Sequence, residues 1–207
     1  MKPHAYPTGT GWIEVIAGCM FSGKTEELLR RIRRARIARQ HVVLVKPSID
    51  VRYGAEHVAG HTEGREAAIP VASAADIYAH TYDAEVVGID EAQFFDEGLV
   101  AVCERLAGDG VRVVVAGLDL DFRGRPFGPV PQLMAIAEYV SKTLAVCTVC
   151  GGPAGRSQRL VQRDARVLLG ATDAYEARCR RHWDPDQFDV EQETLPLPGG
   201  PGGHGSG

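Results

Sequence analysis

The eight residues Gly18-Cys19-Met20-Phe21-Ser22-Gly23-Lys24-Thr25 follow the order Gly-x-x-x-x-Gly-Lys-Ser/Thr. A loop of that order embraces nucleotide phosphates when a strand precedes it and a helix follows. The glycines let the backbone wrap so that successive N–H groups point inward, and the helix amino end adds positive potential. Lys24 in such a loop reaches the β- and γ-phosphates, and the Thr25 hydroxyl is offered to magnesium. Phosphate binding alone does not define a reaction. About 65 residues further on, Asp90 and Glu91 close the apolar run "VVGI". An acid there holds Mg²⁺, directly or through water, and the carboxylate next to it projects toward whatever accepts the phosphoryl group. Glu91 is therefore the candidate general base for an acceptor hydroxyl. The same pair also suits activation of water, as in motor and recombination ATPases, and these two residues by themselves leave both readings open.

A second constellation lies late in the chain. Cys147-x-x-Cys150 is followed, after 28 intervening residues, by Cys179-x-x-His182. Three thiolates and one imidazole make a closed tetrahedral shell, which suits structural Zn²⁺ and leaves no open position for catalysis. The rival is a redox Cys-x-x-Cys, which sits at a helix start beside its strand and needs no distant Cys-x-x-His. Gly151 and Gly152 fit a tight knuckle around the metal. Of the five cysteines, Cys19 and Cys103 remain as spare thiols, and Cys103 reads as a buried apolar residue within a helical stretch.

These groups need elements to position them. Ile13 to Ala17 is a short apolar run that feeds Gly18, as a buried strand before a turn does. Thr25 to Arg39 carries Leu28, Leu29, Ile32, Ala35 and Ile37 at helical spacing among arginines, and the six arginines from Arg30 to Arg39 read as a solvated helix face or as a surface for phosphate or a partner. Further strands are expected at Val42–Val45, around Ile69–Ala72, at Val86–Ile89 and at Val111–Ala116. The alternation predicts an α/β fold with a parallel sheet, and the acids fall at its carboxyl edge, where such sheets keep their ligands.

The pattern divides the chain into a nucleotide-binding α/β domain over 10–142, a small cysteine lobe over 143–188 and a Pro- and Gly-rich tail over 189–207, expected to be disordered. At 207 residues, 44% apolar and 24% charged, with a formal net charge of -4, the composition is that of an ordinary globular chain with one main core. The mildly acidic balance gives no general reason to hold a nucleic-acid backbone, so no nucleic-acid partner is expected. The odd cysteine count and the absence of a leader predict a reduced, cytoplasmic setting, and no apolar run is long enough to cross a bilayer.

The phosphate loop "MFSGKT", the strand end "DEAQFF", the stretch "GLDLDFRGRPFG" and a late zinc lobe containing "YEARC" together resemble the type II thymidine kinases, over roughly Trp12 to His182. The resemblance implies a RecA-like P-loop core, a zinc-held lobe whose lasso covers a nucleoside, a homotetramer, and ATP-dependent phosphorylation of thymidine, with deoxyuridine as a plausible second substrate. It further implies feedback inhibition by dTTP. By position, Glu91 matches the general base; Gly18, Met20, Phe21, Ser22, Gly23, Lys24, Thr25 and Asp90 match the phosphate and magnesium groups, and Arg52 an arginine near the phosphates. Met20, Phe94, Leu118, Phe122, Phe127 and Tyr175 match the nucleoside pocket. The alternatives from other classes are a nucleic-acid-stimulated ATPase that grips DNA with its zinc lobe, and a zinc-organised module that holds nucleotide without turnover. On the kinase reading, chelating the zinc opens the lasso before it harms the P-loop core.

Overall fold

The computed structural model describes residues 9–48, 57–59, 65–161 and 174–187. Its elements, in chain order, are β1 (Trp12–Gly18), α1 (Lys24–Ile37), β2 (Val42–Pro47), β3 (His57–Ala59), β4 (Arg65–Ala67), β5 (Ile69–Val71), β6 (Val86–Ile89), α2 (Leu99–Gly108), β7 (Arg112–Gly117), α3 (Val130–Ile136), β8 (Tyr139–Thr143), β9 (Ala145–Val146), β10 (Pro153–Ala154), β11 (Arg156–Arg159) and β12 (Tyr175–Arg178). Six strands form one sheet in the order β5-β2-β6-β7-β1-β8, and every neighbouring pair is parallel. The sheet is the α/β core that the sequence pattern predicts.

Interior parallel strands are covered on both faces and so read as unbroken apolar runs. Their alternation divides the core in two. Ile13, Val15, Val43, Val45, Val87, Ile89, Val113 and Val115 pack with Leu99, Cys103 and Leu106 of α2 and Leu133 of α3. Ile16, Leu44, Val86, Val114 and Ala116 pack on the other side with Leu28, Leu29, Ile32 and Ala35 of α1. Cys103 is thus the buried apolar residue expected of it, and burial pushes its thiol up to about 12. The exposed face of α1 keeps Arg30 tied to Glu27 at 2.6 Å, which holds the Glu27 carboxyl down at about 2. Helix α3 and strand β8 are among the elements that escape a reading by pattern. Helix α3 is only seven residues long, and β8, at the edge of the sheet, has mixed polarity and is half exposed.

Position 88 shows how closely α1 lies on the sheet. A Cβ on Gly88 would stand 2.8 Å from Leu44 Cδ1 and 2.9 Å from Ile32 Cδ1. We expect Gly88→Val to destabilise the protein by about 1–3 kcal/mol through overpacking, read as a lower urea midpoint with an unchanged slope. An unchanged midpoint would mean that α1 lifts from the sheet without cost.

At the opposite end of β1 from the phosphate loop, a buried polar network fixes α1 over the sheet. Glu14 accepts from Arg112 Nε at 2.6 Å, Trp12 Nε1 at 2.7 Å and Arg31 Nη1 at 2.8 Å, and Arg31 also reaches Glu27 and Ser141. Burial pushes the Glu14 carboxyl up, but the bonds from Arg112 and Trp12 and the two guanidinium charges outweigh it, and it lies below its ordinary value. The bridge joins α1 to β1, β7 and β8.

Beyond Thr143 the chain forms two short antiparallel pairs, β9 with β10 and β11 with β12. Their apolar interior is small: Ala145, Cys147, Ala154 and Ala177, joined by Cys19 from the phosphate loop. So few buried atoms cannot hold a lobe by the hydrophobic effect alone, so a staple is required.

Candidate nucleotide and zinc sites

Strand β7 lies between β1 and β6, so the phosphate loop and the two acids emerge from strands one place apart at the same edge of the sheet. The loop leaves β1 at Gly18, where any Cβ would stand 2.5 Å from the carbonyl oxygen of Thr143 and 2.7 Å from Ser22 Oγ. Only glycine lets the edge strand β8 press against the turn. Thr143 Oγ1 in turn donates to the Ala17 carbonyl at 3.1 Å and shares a 2.9 Å bond with Ser22 Oγ. Ser22 also donates to the Cys19 carbonyl at 2.8 Å. Gly23, left-handed at φ 78, caps α1, and Lys24 Nζ donates to the Cys19 carbonyl at 2.8 Å across the mouth of the loop.

Asp90 stands one residue beyond β6 and is 4% exposed. Its carboxylate accepts from the Thr25 hydroxyl at 3.2 Å and from the Glu91 N–H at 2.9 Å, so the hydroxyl and acid expected beside a metal are neighbours. Oxygen donors of this kind suit Mg²⁺. Desolvation, followed by the charge of Glu91, pushes the Asp90 carboxyl up to about 7. A raised carboxyl binds a proton in the folded state that the unfolded chain has lost. Its stabilising contribution is therefore full below the ordinary value of 3.8 and disappears as pH rises through about 7. Asp90→Asn removes that dependence and keeps an acceptor for both bonds. The variant's stability relative to the parent should grow by on the order of 3 kcal/mol between pH 4 and pH 8, measured by urea unfolding without nucleotide. Parallel pH profiles for the two proteins would refute a buried acid held in this state.

Glu91 adopts a left-handed backbone, φ 50 and ψ 40, as does Phe21 at φ 64. A non-glycine residue there is strained by about 1–2 kcal/mol. The third such residue among those described, Arg39, only closes the end of α1, whereas Phe21 and Glu91 both lie on the loops that hold the candidate site residues. Strain held at two such positions is a pointer to function.

The candidate pocket residues form two groups. Phe94 and Phe127 meet edge to face at 5.8 Å, and the Phe127 N–H donates to the Asp119 carbonyl just after Leu118. Phe122 and Tyr175 sandwich the buried guanidinium of Arg159, 3.8 Å and 5.6 Å from their ring centres, and Arg159 donates to the Tyr175 hydroxyl at 3.0 Å. Met20 is tied to the strand before Arg159 by its main chain, its N–H donating to Ser157 Oγ on β11 at 3.0 Å. Asp119, buried beside the loop, pairs with Lys142 at 2.6 Å and so ties the ends of β7 and β8. Thr143, Ser157, Arg159 and Gln93 were not singled out from the sequence. Each is an ordinary polar residue without a motif of its own, and only the strand pairing shows what it touches. Arg52, the tail and all but the last two residues of the lasso expected at roughly Val167 to Tyr175 lie outside the described residues.

The cysteine cluster comes together. The ligand atoms of Cys147, Cys150, Cys179 and His182 all lie within 4.8 Å of one another. Cys150 Sγ is 3.9 Å from Cys179 Sγ, and His182 Nδ1 is 3.7 Å from Cys147 Sγ and 3.2 Å from Cys179 Sγ. Tetrahedral Zn–S bonds of about 2.3 Å place sulfurs roughly 3.8 Å apart, so the donor set and its spacing fit zinc. All five cysteines are free of disulfides. The knuckle is closed by the Gly151 N–H donating to the Cys147 carbonyl at 2.8 Å.

Cys19, a spare thiol by sequence, turns out to join the two sites. Its Sγ donates to the Ala154 carbonyl at 3.3 Å within the interior of the cysteine lobe. With the Met20–Ser157 bond, this fastens the phosphate loop to the lobe.

Among known proteins, the family model described as thymidine kinase matches residues 11–183. A protein named thymidine kinase from Rhodothermus sp. is 59% identical over 175 residues, covering 84% of this chain and 82% of that one. Another of the same name, from Bacteroides thetaiotaomicron, is 56% identical over 170 residues, covering 82% of this chain and 85% of its own length.

Proposed function

The chain belongs to the thymidine kinase family, and from that premise we propose that Glu91 serves as the base when the γ-phosphoryl group of ATP passes to the 5′ hydroxyl of thymidine. The observation that carries this reading is the junction at the end of β6. There Thr25, Asp90 and Glu91 stand in one hydrogen-bonded chain beside the Phe94–Phe127 pair.

The loop from Gly18 to Thr25 takes the phosphates, with Lys24 leaving the Cys19 carbonyl for the β- and γ-oxygens. Thr25 and Asp90 are the residues that would hold Mg²⁺, which would supply neutralisation of the charge on the transferring phosphoryl group. Glu91 accepts the proton of the 5′ hydroxyl as its oxygen forms a bond to phosphorus and the bond to the β-phosphate oxygen breaks. The products are dTMP and ADP. Since positioning and charge do nearly all the work of such transfers, the protein's part is geometry.

Met20, Phe94, Leu118, Phe122, Phe127 and Tyr175 form the nucleoside pocket in this reading. A flat pyrimidine suits aromatic walls, and a notch for one methyl group discriminates by only about 1–3 kcal/mol, so deoxyuridine is a second substrate. By the same likeness Arg52 is proposed as an arginine that serves the phosphates. Zinc at Cys147, Cys150, Cys179 and His182 holds the lobe over 143–188 against the nucleotide-binding domain over 10–142. By likeness to the type II family we extend the proposal to a homotetramer inhibited by dTTP. A cytoplasmic setting accords with five free thiols and a Cys3His group. Among the described residues no helix is long and apolar enough to cross a membrane.

The test is direct. Purified protein with labelled ATP, magnesium and a panel of nucleosides should transfer label to thymidine and, more slowly, to deoxyuridine. Hydrolysis of ATP that ignores nucleosides and rises with single-stranded DNA would replace this reading with that of a DNA-stimulated ATPase.

A further inference from the structure

Gln93 is uncharged, polar and 3% exposed, at the centre of the short 3-10 turn Ala92–Phe94. Both ends of its amide are engaged. Nε2 donates to Glu91 Oε2 at 2.5 Å, and Oε1 accepts from the Leu118 N–H at 2.9 Å. The two bonds fix each other's sense. A main-chain N–H can only donate, so the amide oxygen faces Leu118 and the nitrogen faces the carboxylate.

Glu91 lies just past the end of β6 and Leu118 just past the end of β7, so one side chain spans two neighbouring strand ends. Its surroundings admit little movement. A Cβ on Gly117 would stand 3.0 Å from Gln93 Oε1, and one on Gly128 would stand 2.5 Å from the Gln93 carbonyl oxygen. Two glycines therefore make room for this residue, one at its side chain and one at its backbone.

We propose that Gln93 is a positioning residue that fixes the Glu91 carboxylate toward the acceptor hydroxyl by bridging it to the main chain at Leu118. The inference rests on the reading of Glu91 as the base. Glu91 is only partly buried and extends from a left-handed backbone, so its carboxylate has several rotamers to choose from unless a partner selects one. The amide donates to the carboxylate with its nitrogen while accepting from the N–H with its oxygen, and Asn, with the same groups, is one methylene shorter. Because Leu118 is also a proposed pocket wall, the same bond sets the distance between base and nucleoside.

Two substitutions separate the bonds. In Gln93→Glu the new carboxylate still accepts from Leu118 but turns oxygen toward oxygen at Glu91. In Gln93→Met both bonds go while the volume is kept. Each should lower kcat for thymidine by about 10–100-fold and leave ATP affinity unchanged, since the phosphate loop does not touch this amide. Placed in a Glu91→Gln background, either substitution should add no further loss, because it acts through the group already removed. Full activity in both single variants, or losses that multiply with Glu91→Gln, would overturn the proposal. If Gln93→Glu does not fold, Gln93→Met decides, as it introduces no charge. If Glu91→Gln alone retains wild-type kcat, the base assignment itself fails and this inference with it, an outcome distinct from independent losses at positions 91 and 93.

Discussion

Glu91→Gln should lower kcat by about 10²–10⁴-fold while nucleotide still binds. The substitution keeps the shape of the side chain and removes only its ability to take a proton. ATP is held by the loop from Gly18 to Thr25, whose internal bonds run to Cys19, Thr143 and Asp90 and not to the Glu91 carboxylate. A loss confined to kcat therefore identifies an interaction made in the transition state, and a loss expressed in ATP affinity does not. Equilibrium ATP binding and steady-state kinetics on the same preparation measure both. Turnover at the wild-type rate would leave the acceptor hydroxyl without a base and end the proposed mechanism.

Removal of the metal has the second large effect. Structural zinc in small domains supplies on the order of 10–16 kcal/mol of apparent binding free energy, nearly all of it folding free energy. The lobe's own interior is four small residues and Cys19, far too little to replace that contribution. Chelation, or Cys179→Ser, should lower turnover at least about 100-fold and lower ATP affinity as well. The second effect follows from the two bonds that anchor the loop to the lobe, Cys19 to Ala154 and Met20 to Ser157. Metal analysis should find about one ion per chain before treatment. A metal-free protein with a native near-UV spectrum and full turnover would show that Cys147, Cys150, Cys179 and His182 hold nothing structural.

Much of this was legible in the chain itself. The five strands expected from apolar runs are present within a residue or two of their expected ends, and for the four interior ones, β1, β2, β6 and β7, this is because a strand buried on both faces has few polar positions to blur its limits. The loop order and the Cys/His spacing carry their chemistry locally, since phosphate needs successive amides and zinc needs four donors on two tight knuckles. Helix α3 and strand β8 were not legible. One is too short for a period to register, and the other lies half exposed at the sheet edge.

By itself, then, the sequence determined the α/β class, the phosphate-loop order, the acid pair and the two Cys/His pairs whose donors fit zinc, each a property of residue types at short spacing. The tertiary structure alone decided what those groups touch. It placed Thr143 against Gly18, Gln93 between Glu91 and Leu118, Arg159 beside two aromatic rings, and Cys19 inside the cysteine lobe. Apart from the Gln93–Glu91 bond, which lies within one turn, each of these contacts joins residues on separate strands or loops, most of them far apart in the chain. Which strands end side by side is set by the order in which the whole sheet assembles, and no local pattern contains that order.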